Sequence, residues 1–169
     1  MIVNLYTFVT LYDRALDTIA HLLAKGEAYA ATHGVSEAEM LDWRLIGDMH
    51  PLSFQLMVVL NFSRQWPARV AGLPVPDSVI ADLDVAGFKA AIADAKAYLA
   101  SLTPEQFAGR DDAPVTFKIA EGMEPTLLAG RWLTVFATTN LYFHLSTAYG
   151  ILRAKGVQVG KPDLFPSGL

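Results

Sequence analysis

Residues 131–156 read RWLTVFATTNLYFHLSTAYGILRAKG. The stretch from Trp132 to Leu152 is about as long as a bilayer-spanning helix, but Thr134, Thr138, Thr139, Asn140, His144, Ser146 and Thr147 interrupt it. It reads instead as a buried helix from about Arg131 to Lys155, apolar on nearly every side because it packs on several neighbours, and ended by Gly156. Asn140 and His144 are four residues apart, so they project from one face of that helix, one turn from each other. They form a polar line through an otherwise apolar surface.

Working outward from this helix, the alternation Val115-Thr116-Phe117-Lys118-Ile119, the turn residues Glu121-Gly122 and the run Pro125-Thr126-Leu127-Leu128 predict a small hairpin just before it. Thr103-Pro104-Glu105-Gln106 has the form of a cap with proline at the first helical position, and starts one short turn. A third long helix is expected from about Val85 to Leu102, with Phe88, Ile92, Ala95 and Leu99 on one face. It is preceded by the stiff linker Leu73-Pro74-Val75-Pro76-Asp77. Pro51 suits the first turn of a second long helix, with Asp48 or His50 as its cap, and Leu52, Leu56, Val59, Leu60 and Ser63 form its inner stripe. Pro67 should kink that helix or break it near Ser63. The first helix runs from Leu5 to about Ala31, with Leu5, Phe8, Val9, Tyr12, Leu16, Ile19, Leu22 and Leu23 at helical spacing, and Gly34 closes it. Ser36 and Glu39 then form a capping box for a short helix through Leu41 and Trp43. The tail 155–169, with Pro162 and Pro166, should lie extended over the surface.

These elements fit in one all-α domain over 1–169, a length that buries a core without disulfides. Hydrophobic residues make up 53% of the chain and charged residues 18%, a lean charge content that leaves room for a subunit interface. A net charge of -4 and a pI of about 5.5 provide no positive field for a phosphate backbone, which argues against nucleic acid. The absence of cysteine excludes a disulfide framework, a thiolate metal site and a cysteine nucleophile. Met1 to Thr10 lacks the marks of a signal peptide, so a cytoplasmic location is expected, without a membrane partner.

Asn140 and His144 can chelate one ion; imidazole suits zinc, nickel, iron or copper, whereas a neutral amide oxygen suits hard cations better. The same pair reads as a buried network in which His144 donates to Asn140, to Gln55 or to a backbone carbonyl and sets helix registry. Gln55 intrudes on the inner stripe of the second helix, and by facing the last helix it would complete one small polar pocket in the core with Asn140 and His144. Asp48 and His50 read first as a helix cap, with an Asp-x-His metal or acid–base pair as the competing reading. His21, four residues after Asp17, reads as its ion-pair partner, and His33 as a cation at a helix C-terminus when protonated. Gly-x-Gly-x-x-Gly, Walker, Gly-x-Ser-x-Gly and His-Glu-x-x-His motifs are all missing, so nucleotide-binding and serine-hydrolase readings have no support.

The run from Asn140 to Gly156 resembles a bacterial domain-of-unknown-function family grouped with the DinB- and YfiT-like metalloenzymes. Asp48-Met49-x-Pro51-Leu52 with Gln55, Ala71-Gly72-x-x-Val75-Pro76 and Gly156-Val157-x-Val159-Gly160-Lys161 extend the resemblance over nearly the whole chain. It implies a four-helix bundle with one long crossover connection, commonly dimeric. In the wider DinB-like group, a histidine on the second helix and a His-x-x-x-His pair on the fourth bind a divalent metal, and some members act on thiol-linked substrates. By that resemblance Gln55, Asn140 and His144 occupy the three ligand positions, two of them as amides. Two readings follow. In one the chain is a binding or scaffold homodimer with a polar pocket for a small-molecule ligand at Gln55, Asn140 and His144. In the other it is a divalent-metal enzyme, zinc- or nickel-dependent, acting as a thiol-linked transferase, isomerase or hydrolase with an altered metal triad.

Overall fold

Asn4 opens the first helix. Its Oδ1 accepts the Thr7 N–H at 3.1 Å while its own N–H donates to Thr7 Oγ1 at 3.1 Å, so the chain is already turned when it enters α1 (Thr7–His33). The computed structural model describes residues 3–168. Tyr12, Leu16, Ile19, Leu22 and Leu23 are fully buried along α1, which ends at Gly34 in the left-handed region (φ 67°) that glycine enters without steric cost. Ser36 Oγ accepts the Glu39 N–H at 3.1 Å and starts the short α2 (Glu37–Leu41).

The second long helix, α3, spans Leu52–Ala71, and Pro51 stands just outside it with extended backbone. Neither Asp48 nor His50 caps it by its side chain, contrary to the sequence expectation. The entry is held by two bonds to the segment before it, Leu52 N–H to the Trp43 carbonyl at 2.8 Å and Gln55 Nε2 to the His50 carbonyl at 3.0 Å. Pro67 does not break α3, which is continuous to Ala71. Trp66, Ala68 and Val70 around it are buried, and this apolar burial offsets the one backbone bond that proline removes.

The connection from 72 to 84 is tied down by Asn61, whose Nδ2 donates to the Val79 carbonyl (3.0 Å) and whose Oδ1 accepts the Val79 N–H (2.8 Å). Asp84 then accepts the Gly87 N–H at 2.7 Å and begins α4 (Val85–Ser101). A 3-10 turn, Pro104–Phe107, follows, with Gln106 Oε1 reaching back to the Thr103 N–H. The hairpin is present: β1 (Pro114–Thr116) pairs antiparallel with β2 (Thr126–Leu128), with Val115 opposite Leu127.

The last long helix, α5, covers 129–154 in three parts: Ala129–Arg131 is α-helical, Trp132–Ala137 is π-helical and Thr138–Ala154 is α-helical again. The wide turn lets both Trp132 and Phe136 reach Trp66, at ring separations of 5.2 and 5.4 Å. Tyr12 on α1 braces it, with its hydroxyl 2.9 Å from Thr138 Oγ1, which in turn donates to the Leu133 carbonyl at 2.7 Å. Period alone does not reveal such an insertion. Among the described residues the last helix, α5, packs against α3, α4 also touches α3, and α1 touches α3, α4 and α5. Among the described residues no helix is long and apolar enough to cross a membrane.

The tail runs over the surface, where it meets α1, but it is not uniformly extended. Val157 and Val159 join the core, and Lys161–Leu164 forms a 3-10 turn. His21 Nε2 lies 2.7 Å from Asp163 Oδ1, so His21 anchors the tail rather than pairing with Asp17. Asp17 is taken by Lys96 (2.6 Å) and by Ser167 Oγ (2.6 Å). The hydrogen bond from His21, with the Gly160 N–H and Lys25, holds the Asp163 carboxyl down at about 2.

Candidate functional site

The N-terminal turns of α3 face the middle of α5, and the inward phase of both helices brings Gln55 against His144. Gln55 is 2% exposed and His144 half-buried. Gln55 Oε1 and His144 Nδ1 are 2.7 Å apart. The orientation of the amide is settled by its other end: Gln55 Nε2 donates to the His50 carbonyl, which can only accept. The oxygen is therefore the atom that meets His144, and Nδ1 must carry the proton. Burial, followed by the neighbouring His50 imidazole, lowers the His144 pKa below the ordinary histidine value. The ring is consequently neutral near pH 7, with a lone pair on Nε2.

Asn140 does not complete this pair. Its Nδ2 donates to the Phe136 carbonyl at 2.8 Å, back along its own helix, and among the described residues it makes no hydrogen bond to Gln55 or His144. Asp48 is exposed. His50 contributes its backbone carbonyl, while its ring stacks on Phe54 with centroids 3.8 Å apart. Phe54 stands 6.0 Å from the His144 ring and Phe143 5.1 Å from it, so two aromatic rings flank the imidazole. Phe54 was not anticipated, although its spacing of four from His50 carries the signal. His33 lies far along the chain, in the last turn of α1, stacked on Tyr29 with its Nδ1 2.9 Å from the Tyr29 carbonyl.

A zinc or nickel site of the enzymatic kind needs about three nitrogen, sulfur or carboxylate donors. Among the described residues no group of three or more His, Cys, Asp or Glu side chains comes together. One imidazole and two amides, one of them already bonded to that imidazole, do not fit such an ion.

Residues 5–165 match the family described as Domain of unknown function (DUF1993). The chain belongs to that family. No curated protein matches this DUF1993 chain. Among solved structures it is similar to the 1.83 Å crystal structure of a DinB family member protein from Shewanella denitrificans, with 29% sequence identity and a TM-score of 0.81, over 93% of this chain and 88% of that one. The resemblance read from the sequence is thus shown: a domain-of-unknown-function protein, mostly helical with one small hairpin, in the DinB-like fold.

Proposed function

We propose that this DUF1993 chain is a homodimeric binding protein on a DinB-like four-helix bundle with a long crossover connection, in which Gln55 presents His144 to a small-molecule ligand. The observation that carries the reading is the commitment of Gln55 at both ends, to His144 Nδ1 and to the His50 carbonyl. This leaves His144 Nε2 as a single hydrogen-bond acceptor between Phe54 and Phe143, an environment that suits a ligand with one polar donor and an apolar body. The homodimer is supported by the outward stripe of α5. No charged residue occurs from Trp132 to Leu152, and Val135 and Phe143 on this helix are 61% and 57% exposed. Leu45 and Ile46, 48% and 61% exposed, extend the apolar surface at its C-terminal end, where Leu45 lies against Gly150.

The alternative, a divalent-metal-dependent enzyme with Gln55, Asn140 and His144 as its ligands, is separated from this reading by elemental analysis and by zinc and nickel titration of the wild type and of His144→Ala. The expected result is no stoichiometric metal at micromolar concentration. One ion per chain, lost in His144→Ala, would overturn the binding-protein reading.

A further inference from the structure

On the flank of α5 that faces α1, away from His144, a cavity of about 430 Å³ opens beneath the C-terminal tail. Its volume falls within the range of small-molecule sites. Its walls are sorted by polarity. Leu11 and Ala15 of α1, Leu145 of α5 and Leu164 of the tail form an apolar interior. Of the hydroxyls in the lining, Thr18 Oγ1 is turned onto the Arg14 and Leu164 carbonyls, at 3.0 and 3.2 Å, and Ser167 Oγ onto Asp17, so neither is free for a ligand. At the rim stand Arg14 and Tyr142.

Arg14 Nη1 donates to the Gly168 carbonyl at 2.8 Å, its one side-chain bond among the described residues, and the group carries five N–H donors in a fork matched to a carboxylate. Asp17, on the same helix, shares Lys96 with Asp13 and accepts the Ser167 hydroxyl, and it does not line the cavity. Among the lining residues Arg14 is the one charged side chain, and the interior is greasy. The Arg14–Gly168 and Asp17–Ser167 bonds hold the tail over the opening, where it forms one wall.

We propose that this cavity binds an amphiphile with a single carboxylate and a short apolar chain, a medium-chain fatty acid in chemical class. The carboxylate pairs with Arg14 beside the Tyr142 hydroxyl, and the chain lies along Leu11, Ala15, Leu145 and Leu164. Neither Gln55 nor His144 lines the cavity, so it stands independently of the site read at that pair.

The test is an NMR titration of the full chain with octanoate and with 1-octanol. The expected result is saturable shifts centred on Arg14, Ser146 and Leu164, with octanol bound more weakly. Arg14→Gln removes a charge-assisted hydrogen bond and should lower octanoate affinity about tenfold, to the level of octanol, while leaving octanol unchanged. Ser146→Trp, at an exposed position of the lining, should fill the cavity and abolish both with an unchanged circular dichroism spectrum. Shifts that do not saturate, shifts centred elsewhere, an octanoate affinity unchanged in Arg14→Gln, or octanoate binding that survives Ser146→Trp would overturn the proposal.

Discussion

A glutamine facing a histidine in a helical core does two jobs at once, and Gln55 performs both: it satisfies a loop carbonyl and selects the tautomer of His144. Replacing it by leucine leaves the His144 Nδ1–H and the His50 carbonyl without their partner. Gln55→Leu should therefore cost about 1–3 kcal/mol, seen as a lower urea midpoint at unchanged slope. The linkage to pH has a definite sign. Because folding holds His144 below its ordinary value of 6.5, the unfolded chain takes up a proton first as the solution is acidified. The contribution of His144 to stability is thus complete above pH 6.5 and is lost as the pH falls from 6.5 towards the lowered value. Denaturation midpoints measured on either side of pH 6.5 should show this loss in the wild type and a flatter dependence in His144→Asn. At this scale the sequence located Gln55 and His144 correctly as neighbours, because both interrupt apolar stripes whose phase points inward. It gave no indication that Asn140 turns back on its own helix, since a side-chain amide one turn above a carbonyl can bond locally as readily as across the core.

The elements were legible where a cap or a long period marks them, as at Gly34, Ser36 and Gly156, and less so where tertiary contacts override a local rule. Pro67 is the clearest case, a helix breaker carried through by the burial of its neighbours. The π-helical turn at Trp132–Ala137 is another, stabilised by Trp66 and by the Tyr12–Thr138 bond from elements distant in sequence. The linker after α3 owes its path to Asn61, which bonds both backbone groups of Val79 from inside a helix, as a neighbouring strand would. Asn61→Ala leaves a donor and an acceptor near the surface of the core unpaired. It should lower stability by about 1–3 kcal/mol in chemical denaturation, with faster amide exchange confined to residues near Val79.

For the whole molecule, the low charge content read from the composition is seen as the uncharged outer stripe of α5. If two chains pair through it, Phe143→Glu places a charge at the centre of the contact. Sedimentation should then show dimer for the wild type and monomer for the variant, with helix content unchanged because Phe143 is 57% exposed within one chain. The sequence by itself determined the number and order of the long helices, the hairpin before the last of them and the facing of Gln55 and His144. Apolar period, caps and prolines act over one or two turns and are written locally. Only the tertiary structure decided the amide orientation that sets the His144 tautomer, the passage of α3 through Pro67, the π-helical turn, the tail's anchorage by His21 and the cavity behind Arg14. Each of these depends on groups up to about 150 residues apart brought to within hydrogen-bond or van der Waals distance, and such contacts leave no period in the chain.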